Sequence, residues 1–193
     1  MRIERLSNEH LPMVDAFSCI ESEEVLKHYD SKTRRRIKKH SQEMDDFLRQ
    51  EAWEDQEMGL STTFLLVNEE RKNIMAYLSL CNDAIRLDFD EKSEKGVPYY
   101  TIPALKIARL AVSSQYQKQG LGKQLIFLAA YQGTQIREVS GVVFITLDCY
   151  EHRKSYYESY GFVENNIQPE KRLYDSPISM RIHLDQLVES FAE

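Results

Sequence analysis

The chain has 193 residues, of which 42% are hydrophobic, and its formal net charge is −6. This length suits one domain, and this composition is sufficient for a packed core. The acidic balance argues against nucleic-acid binding over the whole surface, although it does not exclude a local basic patch. No run approaches the eighteen apolar residues of a membrane span and no apolar leader is visible, so we expect a cytoplasmic protein that binds no membrane.

The alternation of apolar runs and turn formers predicts strands and helices along the whole chain. The predicted elements are, in chain order, a strand at 2–6, helices at 11–17 and 41–58, strands at 62–67, 74–80 and 106–112, a helix at 121–139, a strand at 142–147, a helix at 151–160, and strands at 162–163, 172–174 and 178–184. This order favours an α/β (α+β) fold with a mixed sheet and helices on its faces.

Single residues define several of these boundaries. Ser41 is the expected cap of the long helix in the first half, and Gly59 is well placed to end it. Residues 82–102 are polar and contain Gly96 and Pro98, which predicts an irregular surface insertion.

Residues 31–40 hold six basic side chains and no acidic one. They could contact the phosphates of an RNA or an acidic partner. They could equally form a solvated helix or linker that nearby acidic residues balance, and this second interpretation is favoured.

The three cysteines are Cys19, Cys81 and Cys149. They are scattered and odd in number, and none belongs to a C-x-x-C pair, so neither a disulfide framework nor a metal site is expected. Buried apolar thiols are the expected state.

The most informative stretch is residues 117–122, which join an apolar strand to a long helix. Such a glycine-bearing turn aims unpaired backbone N–H groups at one point, where the positive end of the helix dipole adds to the field. Gly120 and Gly122 permit close approach, and Lys118 and Lys123 add positive charge. The stretch therefore predicts a site for a phosphate group.

A second motif follows about thirty-five residues later, with Tyr157, Gly161 and Phe162 in the pattern Tyr-x-x-x-Gly-Phe. Together with Gln-x-x-Gly-x-Gly at residues 117–122, it resembles the GNAT superfamily of N-acetyltransferases. The resemblance covers roughly residues 60–185. It implies a GNAT-like mixed, mostly antiparallel central sheet with a splayed strand pair and helices on both faces. We expect a single domain over residues 1–193, with a helical N-terminal extension at about 19–58 and the insertion at about 82–102.

The resemblance implies that acetyl-CoA is the acetyl donor and that no metal takes part. The implied coenzyme-binding residues are Leu110, Ala111, Val112, Gln117, Lys118, Gln119, Gly120, Leu121, Gly122 and Lys123. In the family, the turn binds the pyrophosphate through its backbone, and the end of the splayed strand pairs with the pantetheine and polarises the thioester carbonyl.

Tyr157 is the implied general acid, because a phenol near the sulfur can protonate the leaving thiolate. It lies four residues before Gly161, as in the family. At helical spacing, Tyr156 and Tyr160 share a face with each other and not with Tyr157.

No general base is evident from the sequence. Asp148, Glu151 and His152 lie near the expected site, but a solvated surface position is favoured for each. An acceptor with an α-amine, whose pKa begins near 7.7–8.0 and not near 10.4 as in lysine, needs little help from a base. Arg109 is charged within an apolar strand, so we expect it to be paired or functional and not free, in a structural or a substrate-side role.

The expected reaction is direct transfer of an acetyl group from acetyl-CoA to a primary amine, since no cysteine is in position to carry an acyl intermediate. Residues 46–52, 59–67 and 108–112 are also similar to a subgroup that contains the acetyltransferase toxins of bacterial toxin–antitoxin modules, which acetylate aminoacyl-tRNA. Those toxins tend to be basic, whereas this chain carries −6. The acceptor is left open between a small amine, a protein amine and aminoacyl-tRNA. A homodimer and an antitoxin partner are left open as well, and a non-catalytic acyl-CoA-binding regulatory protein is the alternative from another class.

Overall fold

The computed structural model describes residues 1–168 and 176–191. Seven strands form one sheet in the order β1-β2-β3-β4-β5-β7-β6. The strands are β1 (Arg2–Arg5), β2 (Thr62–Val67), β3 (Ile74–Arg86), β4 (Thr101–Val112), β5 (Phe144–Cys149), β6 (Val163–Glu164) and β7 (Ile178–His183). The pairs β1–β2, β2–β3, β5–β7 and β6–β7 are antiparallel, and β4–β5 is parallel. The predicted mixed, mostly antiparallel sheet is confirmed.

Helices occupy most of the segments between these strands. They are α1 (Leu11–Val14), α2 (Glu23–Leu26), α3 (Ser31–Asp46), α4 (Ala52–Glu57), α5 (Phe89–Lys95), α6 (Leu121–Arg137), α7 (Lys154–Glu158) and α8 (Leu184–Glu189). A π-helical turn over Phe47–Glu51 joins α3 to α4. Gly59, at φ 72°, follows the end of α4 as predicted.

The prediction that a helix starts at Ser41 was wrong. Asp30 caps α3, because its carboxylate accepts the N–H groups of Lys32 at 2.8 Å and of Thr33 at 3.1 Å. Ser41 is buried in the interior of the helix. The basic run at 31–40 is therefore the first half of α3, whose few apolar residues hid its helical period.

Residues 82–102 are not irregular, contrary to the prediction. β3 extends into this segment, α5 lies within it, and β4 begins at its end. The missed signal is a capping box, in which Asp88 accepts the N–H of Glu91 at 2.8 Å and Glu91 accepts the N–H of Asp88 at 3.2 Å. Gly96, at φ 61°, is the left-handed residue that ends α5.

The chain packs as two compact units. The first comprises Met1–Leu80 and Arg109–Leu125, and the second comprises Cys81–Ala108 and Ile126–Glu193. β3, β4 and α6 each contribute residues to both units.

An aromatic cluster lies in the core of the first unit. The ring of Tyr77 meets Phe17 edge-on at 5.4 Å between centroids and stacks on Phe47 at 6.2 Å. The Tyr77 hydroxyl donates to the Met44 carbonyl at 2.7 Å, so the buried phenol is satisfied. These contacts fix the end of α3 and the π-turn against β3.

A buried ion pair braces the second unit. Arg181 on β7 pairs with Glu91 on α5 and donates to Asn165 at 2.8 Å. All three side chains are buried, so the charges are held with their partners away from water. The pair ties α5 to β7.

The C-terminal strand is confirmed at β7, although α8, which follows it, was not predicted. The strand predicted at 172–174 lies outside the described residues. β6 pairs with β7 through Val163 and Arg181.

Candidate active site

The end of β4 extends past its partner strand. Within the described residues, the parallel ladder between β4 and β5 ends at the pair Ile107–Leu147, whereas β4 continues to Val112. Residues 108–110 are all partly exposed, and Ala111 is buried. Residues 110–112 therefore lie beyond the ladder with β5, at a strand end where an extended ligand can pair with the backbone.

Residues 117–123, which we call the coenzyme turn, follow β4 and lead into α6. Lys118 and Gly120 both have positive φ, at 62° and 81°. Left-handed backbone is uncommon for lysine, so the conformation of the turn is specified by its surroundings. A Cβ placed on Gly120 would meet no described atom within 4 Å, so the outer side of the turn is open.

The amides of residues 118–122 are available to a ligand. Within the described part of the chain, these backbone N–H groups donate to no acceptor, whereas the Gln124 N–H donates to the Gly120 carbonyl at 3.2 Å. α6 has 17 residues, so its positive end coincides with these amides. Unpaired amides in an alternating left-handed turn at a helix start form an anion site, which fits a diphosphate.

Gln117 holds the base of the turn. Its side-chain amide donates to the Cys19 carbonyl at 3.2 Å and to the Val112 carbonyl at 3.3 Å. Sequence reasoning could not find the first contact, because the partners are far apart in the chain.

Tyr157 lies in the second unit, on α7. Its partly buried ring packs edge-on against Phe162 at 5.9 Å and against Tyr156 at 5.2 Å. Among the described residues, its hydroxyl has no hydrogen-bond partner. Burial raises the pKa of Tyr157 to about 12, and the neighbouring Cys149 thiol shifts that pKa in the same direction. The phenol is therefore neutral and holds its proton at physiological pH.

Tyr156 on α7 contacts both neighbouring tyrosines. It meets Tyr160 edge-on at 5.2 Å, as expected, but it also meets Tyr157 edge-on at 5.2 Å, so the expectation that it faces away from Tyr157 was wrong. Burial and the hydrogen bond with Tyr160 raise the pKa of Tyr156.

The candidate bases already have contacts. Lys106 donates to Asp148 at 2.6 Å. Burial acts to lower the pKa of Lys106, but the bond to Asp148 and nearby carboxylates outweigh it, so the pKa is raised and the ammonium persists. His152 stacks on Tyr150 at 6.0 Å. Asp148 and His152 therefore already contact other side chains, and neither stands out as a general base.

Arg109 lies over the ring of Phe47, with its guanidinium carbon 4.9 Å from the ring centroid. This cation–π contact anchors the charged side chain within the first unit. The Arg109 side chain is therefore engaged and not free, as expected.

The comparison with protein families decides the class of this chain. A model described as the acetyltransferase (GNAT) domain matches residues 25–172. The chain belongs to the GNAT acetyltransferase family. It is an acetyl-CoA-dependent N-acetyltransferase, and acetyl-CoA is the acetyl donor.

Solved structures share the fold of this acetyltransferase. A mutant of KacT has a TM-score of 0.73 at 16% identity, with 97% of each chain covered. AtaT complexed with acetyl-methionyl-tRNAfMet has a TM-score of 0.72 at 18% identity, with 98% of each chain covered. AtaTR bound with AcCoA has a TM-score of 0.68 at 20% identity, with 98% of this chain and 97% of that chain covered. At these identities, the likeness establishes the fold.

The predicted coenzyme-binding residues of this acetyltransferase all lie in the first unit, and Tyr157 lies in the second.

No described helix has the length and hydropathy needed to span a bilayer. No group of three His, Cys, Asp or Glu side chains among the described residues is arranged around a common metal position. Cys19 and Cys149 are buried as expected, whereas Cys81 is partly exposed.

Proposed function

We propose that the coenzyme turn binds the diphosphate of acetyl-CoA through its backbone amides, and that Leu110, Ala111 and Val112 bind the pantetheine arm. The observation that carries this proposal is the set of N–H groups at residues 118–122 that lack a described protein acceptor. Lys118 and Lys123 add positive charge beside them. Acetyl-CoA supplies the acetyl group as an activated thioester.

Tyr157 is the proposed general acid. The acceptor nitrogen bonds to the acetyl carbon while the carbon–sulfur bond breaks, and the Tyr157 hydroxyl gives its proton to the leaving sulfur. The amine loses one proton to solvent, and the phenolate regains one from solvent. The Tyr157 phenol is protonated at physiological pH, so it has a proton to give. Because burial raises its pKa to about 12, the proton transfers as negative charge develops on the sulfur and not before.

Release of free thiol from acetyl-CoA across a panel of amines tests this function. We expect thiol release to require the amine and to match the acetylated product in amount. When the concentrations of acetyl-CoA and amine are both varied, the initial rates should follow a sequential pattern, which indicates a ternary complex, and not a ping-pong pattern. Binding of acetyl-CoA without thiol release for any amine would instead support the non-catalytic acyl-CoA-binding alternative.

For the acceptor, we propose the α-amine of aminoacyl-tRNA. The fold likeness to KacT and AtaT extends over nearly the whole of each chain, and one AtaT structure is a complex with acetyl-methionyl-tRNAfMet. Asp148 is already bound by Lys106, which favours an amine that needs no strong base. A toxin of this kind would act with an antitoxin partner, as AtaT is bound by AtaR.

The basic half of α3 gives limited support for an RNA contact. Lys38 is bound to Glu23 at 2.7 Å, and Arg34 donates to the Tyr29 carbonyl at 2.7 Å, so part of the charge is used within the first unit. Arg35 is exposed. Changing Arg34, Arg35 and Arg36 together to Ala should reduce the salt dependence of RNA binding if this face contacts phosphates.

Induced expression of the chain tests the acceptor proposal. Wild type should arrest growth and yield N-acetylated aminoacyl-tRNA by mass spectrometry, whereas the matched Tyr157→Phe variant should do neither. Co-expression of the neighbouring gene should restore growth if it encodes the antitoxin. Normal growth together with acetylation of a small amine in vitro would assign a metabolic acceptor. Light scattering of the purified protein tests whether it forms a homodimer.

A further inference from the structure

We propose that residues 17–19 form a strut that holds the coenzyme turn in its binding shape, and that Gln117 and Asp45 are positioning residues that act on acetyl-CoA through this strut. The inference rests on the proposed function of the coenzyme turn. It assigns a role to a segment that carries none of the acetyltransferase motifs.

The strut has no regular secondary structure of its own, so side chains from other elements satisfy its backbone. On the side of the coenzyme turn, the Ser18 carbonyl accepts the Ser114 N–H at 2.8 Å and the Ser114 hydroxyl at 2.9 Å. The Cys19 carbonyl accepts the Gln117 side chain at 3.2 Å. Because Gln117 also donates to the Val112 carbonyl, it bridges the strut and the end of β4.

On the other side, α3 and the π-turn hold the same segment. The Cys19 N–H donates to the Asp45 carboxylate at 2.8 Å, and the Cys19 thiol donates to the Ser41 carbonyl at 3.4 Å. Arg49 donates to the Phe17 carbonyl at 2.5 Å. Asp45 is only 1% exposed and lies 4.0 Å from Arg49, so its carboxylate is fixed in place.

The coenzyme turn depends on this support for a physical reason. It holds Lys118 at positive φ, and the N–H groups of residues 118–122 donate to no described acceptor, so hydrogen bonds from these amides do not stabilise the shape. A ligand that needs the shape must then supply the ordering free energy whenever the support is loosened. The loss should be largest for ligands that contact the turn, and smaller for those that contact only the end of β4.

Two acetyl donors separate these contributions, namely acetyl-CoA and S-acetylpantetheine, which lacks the nucleotide and the diphosphate. We expect Gln117→Met to raise the KM for acetyl-CoA by about tenfold. The kcat/KM with S-acetylpantetheine should fall by clearly less than that with acetyl-CoA, because this donor meets only the Val112 end of the Gln117 contacts. Asp45→Ala should act in the same way, and Asp45→Asn should restore most of the affinity because it keeps an acceptor oxygen.

Gln42→Met is the matched control, since Gln42 donates to Asp46 at 2.8 Å on the exposed face of α3 and makes no contact with the strut. It should leave both donors unaffected. Ser114→Ala, a smaller change at an exposed side chain, covers the case in which Asp45→Ala fails to fold; it should raise the KM for acetyl-CoA by less than Gln117→Met does.

The inference is overturned if Gln117→Met leaves the KM for acetyl-CoA unchanged, or if it lowers kcat/KM equally with both donors. The second result would mean general damage to the fold and not loss of turn shape. Failure of the proposed function looks different, because wild type itself would then bind acetyl-CoA no more tightly than S-acetylpantetheine.

Discussion

The coenzyme turn and the surroundings of Tyr157 are built in opposite ways. The coenzyme turn is mostly exposed, and the atoms proposed to bind the coenzyme are backbone amides in left-handed geometry. Tyr157 is a partly buried side chain among aromatic rings, and its hydroxyl is the one atom proposed to act. A backbone site should tolerate many side chains but not a misplaced charge, whereas a side-chain site should depend on a single atom.

The largest expected effect is at the backbone site. Gly120→Asp places a carboxylate beside the bound diphosphate, and two unit charges about 4 Å apart repel by about 4 kcal/mol at an effective dielectric near 20. That corresponds to a loss of affinity for acetyl-CoA of about a thousandfold. Isothermal titration calorimetry should detect no binding by this variant.

Gly120→Asn is the matched control, because it has nearly the same size and shape but no charge. Asparagine tolerates left-handed backbone, and a Cβ at this position meets no described atom within 4 Å. We expect it to retain affinity within about tenfold of wild type. If Gly120→Asn and Gly120→Asp lost affinity for acetyl-CoA equally, the added side chain itself and not its charge would cause the loss.

The next effect is at the side-chain site. Tyr157→Phe keeps the ring that packs on Phe162 but removes the acidic proton. We expect kcat to fall by at least about a hundredfold, with the affinity for acetyl-CoA little changed. Rapid-quench kinetics and calorimetry measure the two quantities separately.

Tyr160→Phe provides the comparison within the same aromatic cluster, since its ring faces Tyr156. It should turn over at nearly the wild-type rate. Normal turnover by Tyr157→Phe would remove Tyr157 from the mechanism, and equal losses in both variants would point to damaged packing.

For both regions, the sequence predicted the position in the chain but not the long-range contacts. The positions of the coenzyme turn and of Tyr157 follow from local motifs, because strand, glycines and helix start are neighbours in the chain. The contact between Gln117 and Cys19 could not be predicted, since it joins residues 98 positions apart and depends on tertiary packing. The same limit applies to the ion pair between Arg181 and Glu91, which are 90 positions apart.

Local signals were also missed where a stronger pattern obscured them. The succession of strands along the chain was predicted largely correctly, because apolar runs mark buried strands. α5 was missed because Gly96 and Pro98 suggested irregular structure, although the Asp88–Glu91 capping box was present in the sequence. The predicted helix began ten residues too late, at Ser41 and not at Ser31, because the basic first half of α3 lacks the apolar stripe of a buried helix.

The smallest effect tests the environment of Tyr157 by pH. A general acid must be protonated, and burial raises the pKa of Tyr157 from its ordinary value near 10 to about 12. An ordinary phenol would be about three-quarters ionised at pH 10.5, so activity would fall about fourfold. With the raised pKa, kcat should stay flat from pH 9 to about 10.5, once the acceptor amine is fully deprotonated. A fourfold fall in kcat over this range, without loss of the folded near-UV circular dichroism, would mean that water reaches the hydroxyl and that burial does not hold its proton.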